Sequence, residues 1–113
     1  MNIPERAALL RIYTGERARN GSGPLYEAIV QKARADGLAG ATVLRGPMGF
    51  GETRHIHTAK ILDLSGDLPL VIEIVDAEDK LRAFVASLGA MKDIGLVTLE
   101  KVEVLHYGKV AGH

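Results

Sequence analysis

The sequence contains no cysteine and no tryptophan, and it has only two phenylalanines and three tyrosines in 113 residues. The absence of cysteine excludes disulfides and thiolate metal ligands, and it is consistent with the reducing cytoplasm where we expect the protein to act. So few aromatic side chains offer little surface on which bases could stack. Fourteen basic residues balance fourteen acidic ones, so we expect no nucleic-acid partner.

Long apolar runs are missing as well. No segment approaches the roughly 18 consecutive apolar residues of a membrane span, so we expect no direct membrane insertion. The length predicts a single domain over residues 1–113, in which residues 1–7 and 108–113 form flexible ends.

Hydrophobic periodicity predicts four strands, at about residues 8–14, 41–45, 68–76 and 96–105. The third is apolar almost throughout, which is typical of an interior strand covered on both faces. The apolar phase of the fourth slips between Leu99 and Val102, and this slip predicts a bulge near Glu100-Lys101.

Two helices are predicted between these strands. Pro24 opens the first, with Ser22 or Gly23 as its cap, and Gly37 ends it. Asp76 is expected to cap the second helix, and Gly89 to stop it. The buried stripe of the second helix has helical spacing and comprises Leu81, Phe84, Val85 and Leu88.

The order β-α-β-β-α-β predicts an α+β, ferredoxin-like fold, in which a four-stranded antiparallel sheet carries both helices on one face. The connection between strands two and three, residues 46–67, is long for this fold. Connections beyond about 12–15 residues are usually functional or disordered. Residues 58–64 alternate in part, so a short extra strand is expected there.

The loop opens with RGPMGFGETRHIHT, residues 45–58. Its three glycines, Gly46, Gly49 and Gly51, would let backbone N–H groups point at one place, and Arg45 and Arg54 offer forks for anionic oxygens. A nucleotide-binding glycine motif would open a helix, whereas these glycines lead into an extended segment. Phosphate binding and a mobile turn both remain compatible with the pattern.

A metal site is the alternative for the same stretch. His55 and His57 share one side of an extended segment, so both imidazoles could reach one ion. Two ligands are too few for zinc, and His106 and His113 would contribute only if the tail or another subunit came close. A polar loop face is the simpler interpretation of this histidine pair.

Catalytic groups are sparse. No serine or cysteine lies in a recognisable nucleophile motif, so we expect a protein that is not an enzyme. Glu73 shares a face of the third strand with apolar neighbours, and Arg11 or Lys101 on an adjacent strand could pair with it. A structural ion pair or a subunit contact is favoured over a general base. Tyr13 and Glu16, at the end of strand one, are expected to line the same region as the loop.

Three stretches, RIYTGE, VLRGPMGFGETRHIHT and DLPLVIEIVD, occur in an order that resembles a PII-like family catalogued as domain of unknown function 190. The resemblance spans roughly residues 8–107. It implies the ferredoxin-like PII fold and a compact homotrimer whose sheets face inward. PII proteins are signalling trimers that bind adenine nucleotides between subunits and contact transporters or enzymes through a long loop.

The resemblance places the 46–67 loop at the position of the PII effector loop. It implies a regulatory protein with no resident cofactor, whose ligand is a small anion and most simply an adenine nucleotide. A membrane transporter or an enzyme would be its protein target. The expected ligand-binding residues are Arg45, Gly46, Gly49, Gly51, Arg54, His55, His57 and Lys101. A metal-responsive trimer that uses His55 and His57, a structural trimer without ligand, and an enzyme acting on a nucleotide in the cleft remain alternatives.

Overall fold

The computed structural model describes residues 3–51, 55–58, 67–89 and 91–108. The described helices are α1 (Leu25–Ala35) and α2 (Glu78–Ser87). The described strands are β1 (Arg6–Gly15), β2 (Arg19–Asn20), β3 (Gly23–Pro24), β4 (Thr42–Arg45), β5 (Met48–Gly49), β6 (His57–Thr58), β7 (Pro69–Asp76) and β8 (Leu96–Glu103). None of these helices is long and apolar enough to cross a membrane.

The four long strands form one antiparallel sheet in the order β4-β7-β1-β8. Helix α2 contacts both central strands, β1 and β7, and helix α1 contacts β7. This topology confirms the predicted ferredoxin-like fold, and β7 lies inside the sheet as its apolar run predicted. β1 starts at Arg6, earlier than expected, so Arg6 and Ala7 belong to the sheet.

The hydrophobic core lies between the sheet and the two helices. Successive side chains of a strand point to opposite faces of the sheet, so alternate residues of β1 and β7 face the helices. Directly paired residues of these antiparallel strands point to the same side. The largest fully buried apolar side chains are Leu10, Ile12, Ile72 and Ile74 from the sheet, Leu25 and Ile29 from α1, and Leu81 from α2. The stripe predicted for the second helix is confirmed, because Leu81, Phe84 and Leu88 are buried and Val85 packs against the core.

Helix α1 ends as the sequence predicts, and it begins differently. Gly37 has a φ of 76°, its N–H donates to the Arg34 carbonyl, and the next N–H, from Leu38, donates to Ala33. Glycine adopts this left-handed conformation without strain. At the other end, Pro24 itself occupies the N-cap position, so the prediction of Ser22 or Gly23 as the cap was wrong. Proline has the fixed φ that suits a helix start.

Asp76 does not occupy the N-cap of α2; that position belongs to Ala77. Asp76 is instead the last residue of β7, and its side chain is fully buried. Its carboxylate accepts hydrogen bonds from the backbone N–H groups of Ala77 (2.7 Å) and Ala39 (2.9 Å), while Lys80 Nζ lies 3.5 Å away. Asp76 therefore fastens the α1–β4 connection to the end of β7.

The prediction of a bulge near Glu100-Lys101 was wrong. β8 pairs with β1 without interruption, from Arg6 opposite Glu103 to Tyr13 opposite Leu96. Leu99 faces the helices because it pairs with Leu10, whereas Val102 pairs with Ala7 on the other side. The apolar phase slips because β8 places apolar residues on both faces, and no residue is inserted.

The sheet face opposite the helices, called the outer face below, combines apolar and charged side chains. It carries Leu9, Arg11 and Tyr13 of β1, Val71, Glu73 and Val75 of β7, Thr42 and Leu44 of β4, and Leu96, Thr98, Glu100 and Val102 of β8. All are partly or fully exposed in the single chain. The face is thus uncovered by the helices.

An ion-pair cluster lies in the middle of the outer face. Arg11 Nε donates to Glu73 at 2.9 Å, and Arg11 Nη1 donates to Glu100 at 2.7 Å. Arg11 is thereby confirmed as the partner of Glu73, whereas Lys101 points to the helix side. The hydrogen bond to Glu73 is the main cause that raises the pKa of Arg11 above its ordinary value, against an opposing effect of burial. The positive charge is therefore permanent under ordinary conditions.

The 46–67 loop begins with a small hairpin. β5 pairs with β6, so that Met48 lies opposite Thr58 and Gly49 opposite His57. Of the extra strand expected over residues 58–64, Thr58 belongs to β6, and residues 59–66 lie outside the described residues.

Two leucine-to-alanine substitutions test this arrangement of the core. Leu81 is fully buried and Leu105 is 88% exposed. We expect Leu81→Ala to lower the free energy of unfolding by about 2–5 kcal/mol, because it leaves a cavity. Leu105→Ala should change it by less than about 0.5 kcal/mol. Urea unfolding followed by circular dichroism measures both, and equal losses would contradict the core described above.

Candidate functional site

The loop base is the end of the sheet at which β1 and β4 finish and β7 begins. Two backbone hydrogen bonds fasten it, from Glu16 N to the Leu68 carbonyl and from Gly46 N to the Pro69 carbonyl, both 2.8 Å. Residues that follow β1 and β4 are therefore held against those that precede β7. This proximity follows from antiparallel pairing, which places the end of one strand beside the start of the next.

A cavity of about 320 Å³ opens at the loop base, and its lining is mainly apolar. Such a volume falls within the usual range for small-molecule sites, roughly 300–1,000 Å³. Its wall combines the ends of β1 and the starts of β7 and β8 with the loop, and comprises Tyr13, Thr14, Gly15, Gly49, Phe50, Gly51, Asp67, Pro69, Leu70, Gly95 and Leu96. Tyr13 therefore lines the loop region, as the sequence predicted.

Asp67 is the one charged residue among those lining residues. Its Oδ1 accepts a hydrogen bond from Arg17 N at 2.7 Å. A Cβ on Gly15 would lie 2.7 Å from the same oxygen, so glycine is needed there for the carboxylate to approach the backbone. Among the described lining residues there is no cationic side chain, so we expect phosphate groups to lie away from this part of the wall.

Arg45 supplies a cation on the other side of the loop base. Its Nη2 lies 3.2 Å from Glu16 Oε1, and the two side chains are 60% and 30% exposed respectively. A second, smaller cavity of about 200 Å³ adjoins them and is completed by Tyr26, Val43 and Leu70. Glu16 therefore reaches the loop region as expected from the sequence, and it does so as the partner of Arg45.

The three glycines of the motif have different surroundings. A Cβ on Gly46 or on Gly49 would lie 3.0 Å from Cγ of Pro69, so close packing against that ring favours glycine at both positions. Among the described residues, none has an atom within 4 Å of the corresponding point at Gly51. Packing therefore explains Gly46 and Gly49, and it does not explain Gly51.

The histidines of the motif lie in or beside the small hairpin. His57 is in β6, opposite Gly49, and exposed His55 precedes it. Arg54 and His113 fall outside the described residues. His106 follows β8 at the end of the sheet opposite the loop base. Among the residues that the structure describes, no group of three or more His, Asp or Glu side chains could hold a metal ion.

Lys101 is separated from Arg45, although both are expected ligand residues. It pairs with Ala8 on β8, whereas Arg45 pairs with Leu70, which pairs with Thr14. Ala8 and Thr14 lie six residues apart on β1, which corresponds to roughly 20 Å along the strand. Within one chain, Lys101 therefore does not join the loop base.

Asp67 and Pro69 contribute to the site and were not predicted from sequence. A usable signal was present, because residues directly before strand three must lie beside those directly after strand one in an antiparallel pair. The site residues were predicted from the spacing within the loop motif, and that spacing does not show which residues of other strands lie beside the loop.

Comparison with known proteins places the chain. The model of family DUF190, described as "Uncharacterized ACR", matches residues 7–104. The chain belongs to the DUF190 family. A UPF0166 protein of Aquifex aeolicus (strain VF5) is 41% identical over 98 residues, which cover 87% of this chain and 92% of that protein. The UPF0166 protein MJ1524 of Methanocaldococcus jannaschii is 31% identical over 100 residues, covering 88% and 92%.

A solved structure shares the fold of this DUF190 chain. The structure of CPII bound to ADP and bicarbonate, from Thiomonas intermedia K12, superposes with a TM-score of 0.62 over 88% of each chain. The sequence identity is 16%, which shows a common fold. The predicted resemblance to the DUF190 family is confirmed by the family match, and the likeness to CPII confirms the predicted fold.

Gly49 and Gly51 of the loop motif can be compared by substituting each with alanine. We expect Gly49→Ala to lower the free energy of unfolding by about 1–3 kcal/mol, because the new methyl group presses on the Pro69 ring. Gly51→Ala adds a methyl group that meets no atom of another described residue within 4 Å, so it should leave stability within about 0.5 kcal/mol. Thermal unfolding of both variants measures the difference. Equal stability of the two would show that the Pro69 contact does not constrain Gly49.

Proposed function

We propose that this protein is a PII-like regulator that binds a small anionic ligand, most simply an adenine nucleotide, between the subunits of a homotrimer. Ligand binding would act on a protein partner through the 46–67 loop. The observation that carries the proposal is the loop base, where an exposed arginine and an apolar cavity occur together at the foot of that loop. CPII, which shares the fold, was solved with ADP and bicarbonate bound, and this supports a ligand of that class.

The two sides of the loop base suit different parts of a nucleotide. The apolar cavity beside Phe50 and Leu96 is suited to a planar base. Arg45 is suited to phosphate oxygens, since its guanidinium presents several donors in a fixed fork. The carboxylate of Asp67 keeps phosphate away from the cavity interior, so the phosphates would point toward Arg45 and a neighbouring subunit. Arg54, His55 and Lys101 stay candidates for that second subunit's contribution.

The homotrimer rests on the resemblance and on the outer face. Apolar side chains there are uncovered in the single chain; Leu44 is 48% exposed and Leu96 55%. Contiguous apolar surface of this kind usually marks an interface. Inward-facing sheets, as in PII-like trimers, would cover it and would bury the Arg11 cluster between copies.

Regulation requires that the ligand bind one arrangement of the loop better than another. The described part of the loop exposes Met48 (52%) and Ile56 (56%), so a partner could meet apolar side chains there. A membrane transporter or an enzyme is the expected kind of target. We propose a binding protein that performs no reaction of its own. No described cluster favours the metal-responsive alternative, and a structural trimer is the outcome if no ligand binds.

Nucleotide binding is tested by calorimetry and thermal unfolding of the purified oligomer with ADP and ATP. A ligand at a hundred times its dissociation constant adds about 2.7 kcal/mol of stability per site. For a domain of this size, that corresponds to an increase in melting temperature of roughly 10–20 °C. Arg45→Gln should weaken binding about tenfold or more, because it removes a charged hydrogen-bond donor.

The matched control is Arg82→Gln on α2, where Arg82 pairs with Glu78 and lines neither cavity of the loop base. It should leave nucleotide affinity unchanged. A wild-type protein that shows no calorimetric signal with either nucleotide would contradict the nucleotide proposal. If both arginine variants lost the same amount of nucleotide affinity, the proposed role of Arg45 would be contradicted, and the nucleotide proposal itself would stand.

The interface is tested by Leu44→Asp, which places a charge on the outer face. We expect the chain to remain folded, because Leu44 is already half exposed, and the trimer to dissociate. Sedimentation velocity and circular dichroism measure assembly and folding separately. Ala83→Asp, at an exposed position of α2, is the control. A trimer that persists in Leu44→Asp would exclude the outer face as its interface.

A further inference from the structure

Arg45, the residue proposed to bind an anionic ligand, is paired with the carboxylate of Glu16. We propose that Glu16 is an internal competitor for the ligand: its carboxylate occupies Arg45 in the ligand-free protein, and an incoming anionic group must displace it. This inference rests on the proposed function in one respect, namely that Arg45 receives anionic oxygens of the ligand.

The first support is the asymmetry of the pair. Glu16 has a fixed backbone, because its own N–H donates to the Leu68 carbonyl at 2.8 Å and the N–H of Arg17 donates to Asp67. Its side chain is 30% exposed, whereas that of Arg45 is 60% exposed. The acid is therefore held at the protein side of the contact, and the guanidinium is open to solvent on its other side.

The second support is the chemistry of the contact. A carboxylate and a phosphate compete for the same guanidinium, because both present oxygens that match its fork of donors. Nη2 of Arg45 lies 3.2 Å from Oε1 of Glu16, which is long for a charge-assisted hydrogen bond. Among the described residues, Glu16 is the one acid paired with Arg45. A two-pronged anion can therefore replace this contact with a stronger one.

The third support is that the pair is weak enough to exchange. Exposed ion pairs contribute little to folding, and the surrounding backbone is fastened by other hydrogen bonds. The cavity of about 200 Å³ beside Glu16 and Arg45, lined also by Tyr26 and Val43, gives an anion room to approach. Glu16 would thus lower affinity for the ligand while contributing little to the fold.

The test compares the wild type with Glu16→Gln and Glu16→Ala by calorimetry, with ADP and separately with inorganic pyrophosphate. We expect both variants to bind more tightly by about two- to fivefold, the range for loss of an exposed ion pair. The matched control is Glu78→Gln, because Glu78 pairs with Arg82 at 2.8 Å, the pair is similarly exposed, and the net charge changes equally. Its affinities should equal those of the wild type.

The two ligands separate this inference from the proposed function. If ADP binds none of the proteins while Glu16→Gln binds pyrophosphate more tightly than the wild type, the nucleotide proposal fails and the competition stands. Unchanged affinities in both Glu16 variants would overturn the competition, as would the absence of any pyrophosphate binding by them. Weaker binding by Glu16→Gln would overturn it too, since Glu16 would then position Arg45 for the ligand. Far-ultraviolet circular dichroism verifies that each variant is folded.

Discussion

The pairing of β1 with β7 is the contact on which the rest of the molecule depends. One register places Leu10 beside Ile74 and Ile12 beside Ile72 under the helices, and it places Arg11 beside Glu73 on the outer face. The same register brings Gly15 to Pro69, where the loop base forms. A slip of one residue would exchange the two faces of the strand, moving the arginine into the core and the isoleucines out of it. Core, charge cluster and candidate site are therefore specified together.

The outer face shows how a charge cluster can coexist with apolar surface. Arg11 touches two carboxylates, so the cluster carries a net negative charge on each chain. Burial of such a group costs free energy unless its hydrogen bonds are satisfied, and its strict geometry then favours one mode of contact over others. In the proposed trimer, the apolar residues around it would supply affinity, and the cluster would restrict how copies can be arranged.

Sequence predicted those parts of the fold that depend on local pattern. Gly37 ends α1 because a residue in the left-handed conformation is required there, and the stripe around Leu81 follows helical spacing. Arg11 could be named as one of two candidate partners of Glu73, because the two residues carry opposite charges and lie on strands that were expected to be adjacent. The errors came where tertiary contacts decide: Asp76 binds Ala39, far along the chain, in place of capping α2. The apolar phase of β8 reflects two different faces, which a single strand cannot reveal.

The candidate site was predictable only as a region. The glycines and Arg45 drew attention to the loop, yet Gly46 and Gly49 prove to be packed against Pro69, a residue outside the motif. Glu16 was expected near the loop, but its pairing with Arg45 depends on where β1 and β4 finish. No local sequence pattern marks Asp67 as a site residue, because its place in the site depends on its approach to Gly15 across the sheet.

The two ends of the described chain leave the sheet side by side. Val104 N donates to the Glu5 carbonyl at 2.7 Å, and the Tyr107 hydroxyl donates to the Ala39 carbonyl at 2.9 Å, at the end of the sheet remote from the loop. A fluorophore or a surface tether attached beside Glu5 or Tyr107 would therefore lie at the end of the sheet opposite the loop base. A protein immobilised through either position would present the loop base toward the solution.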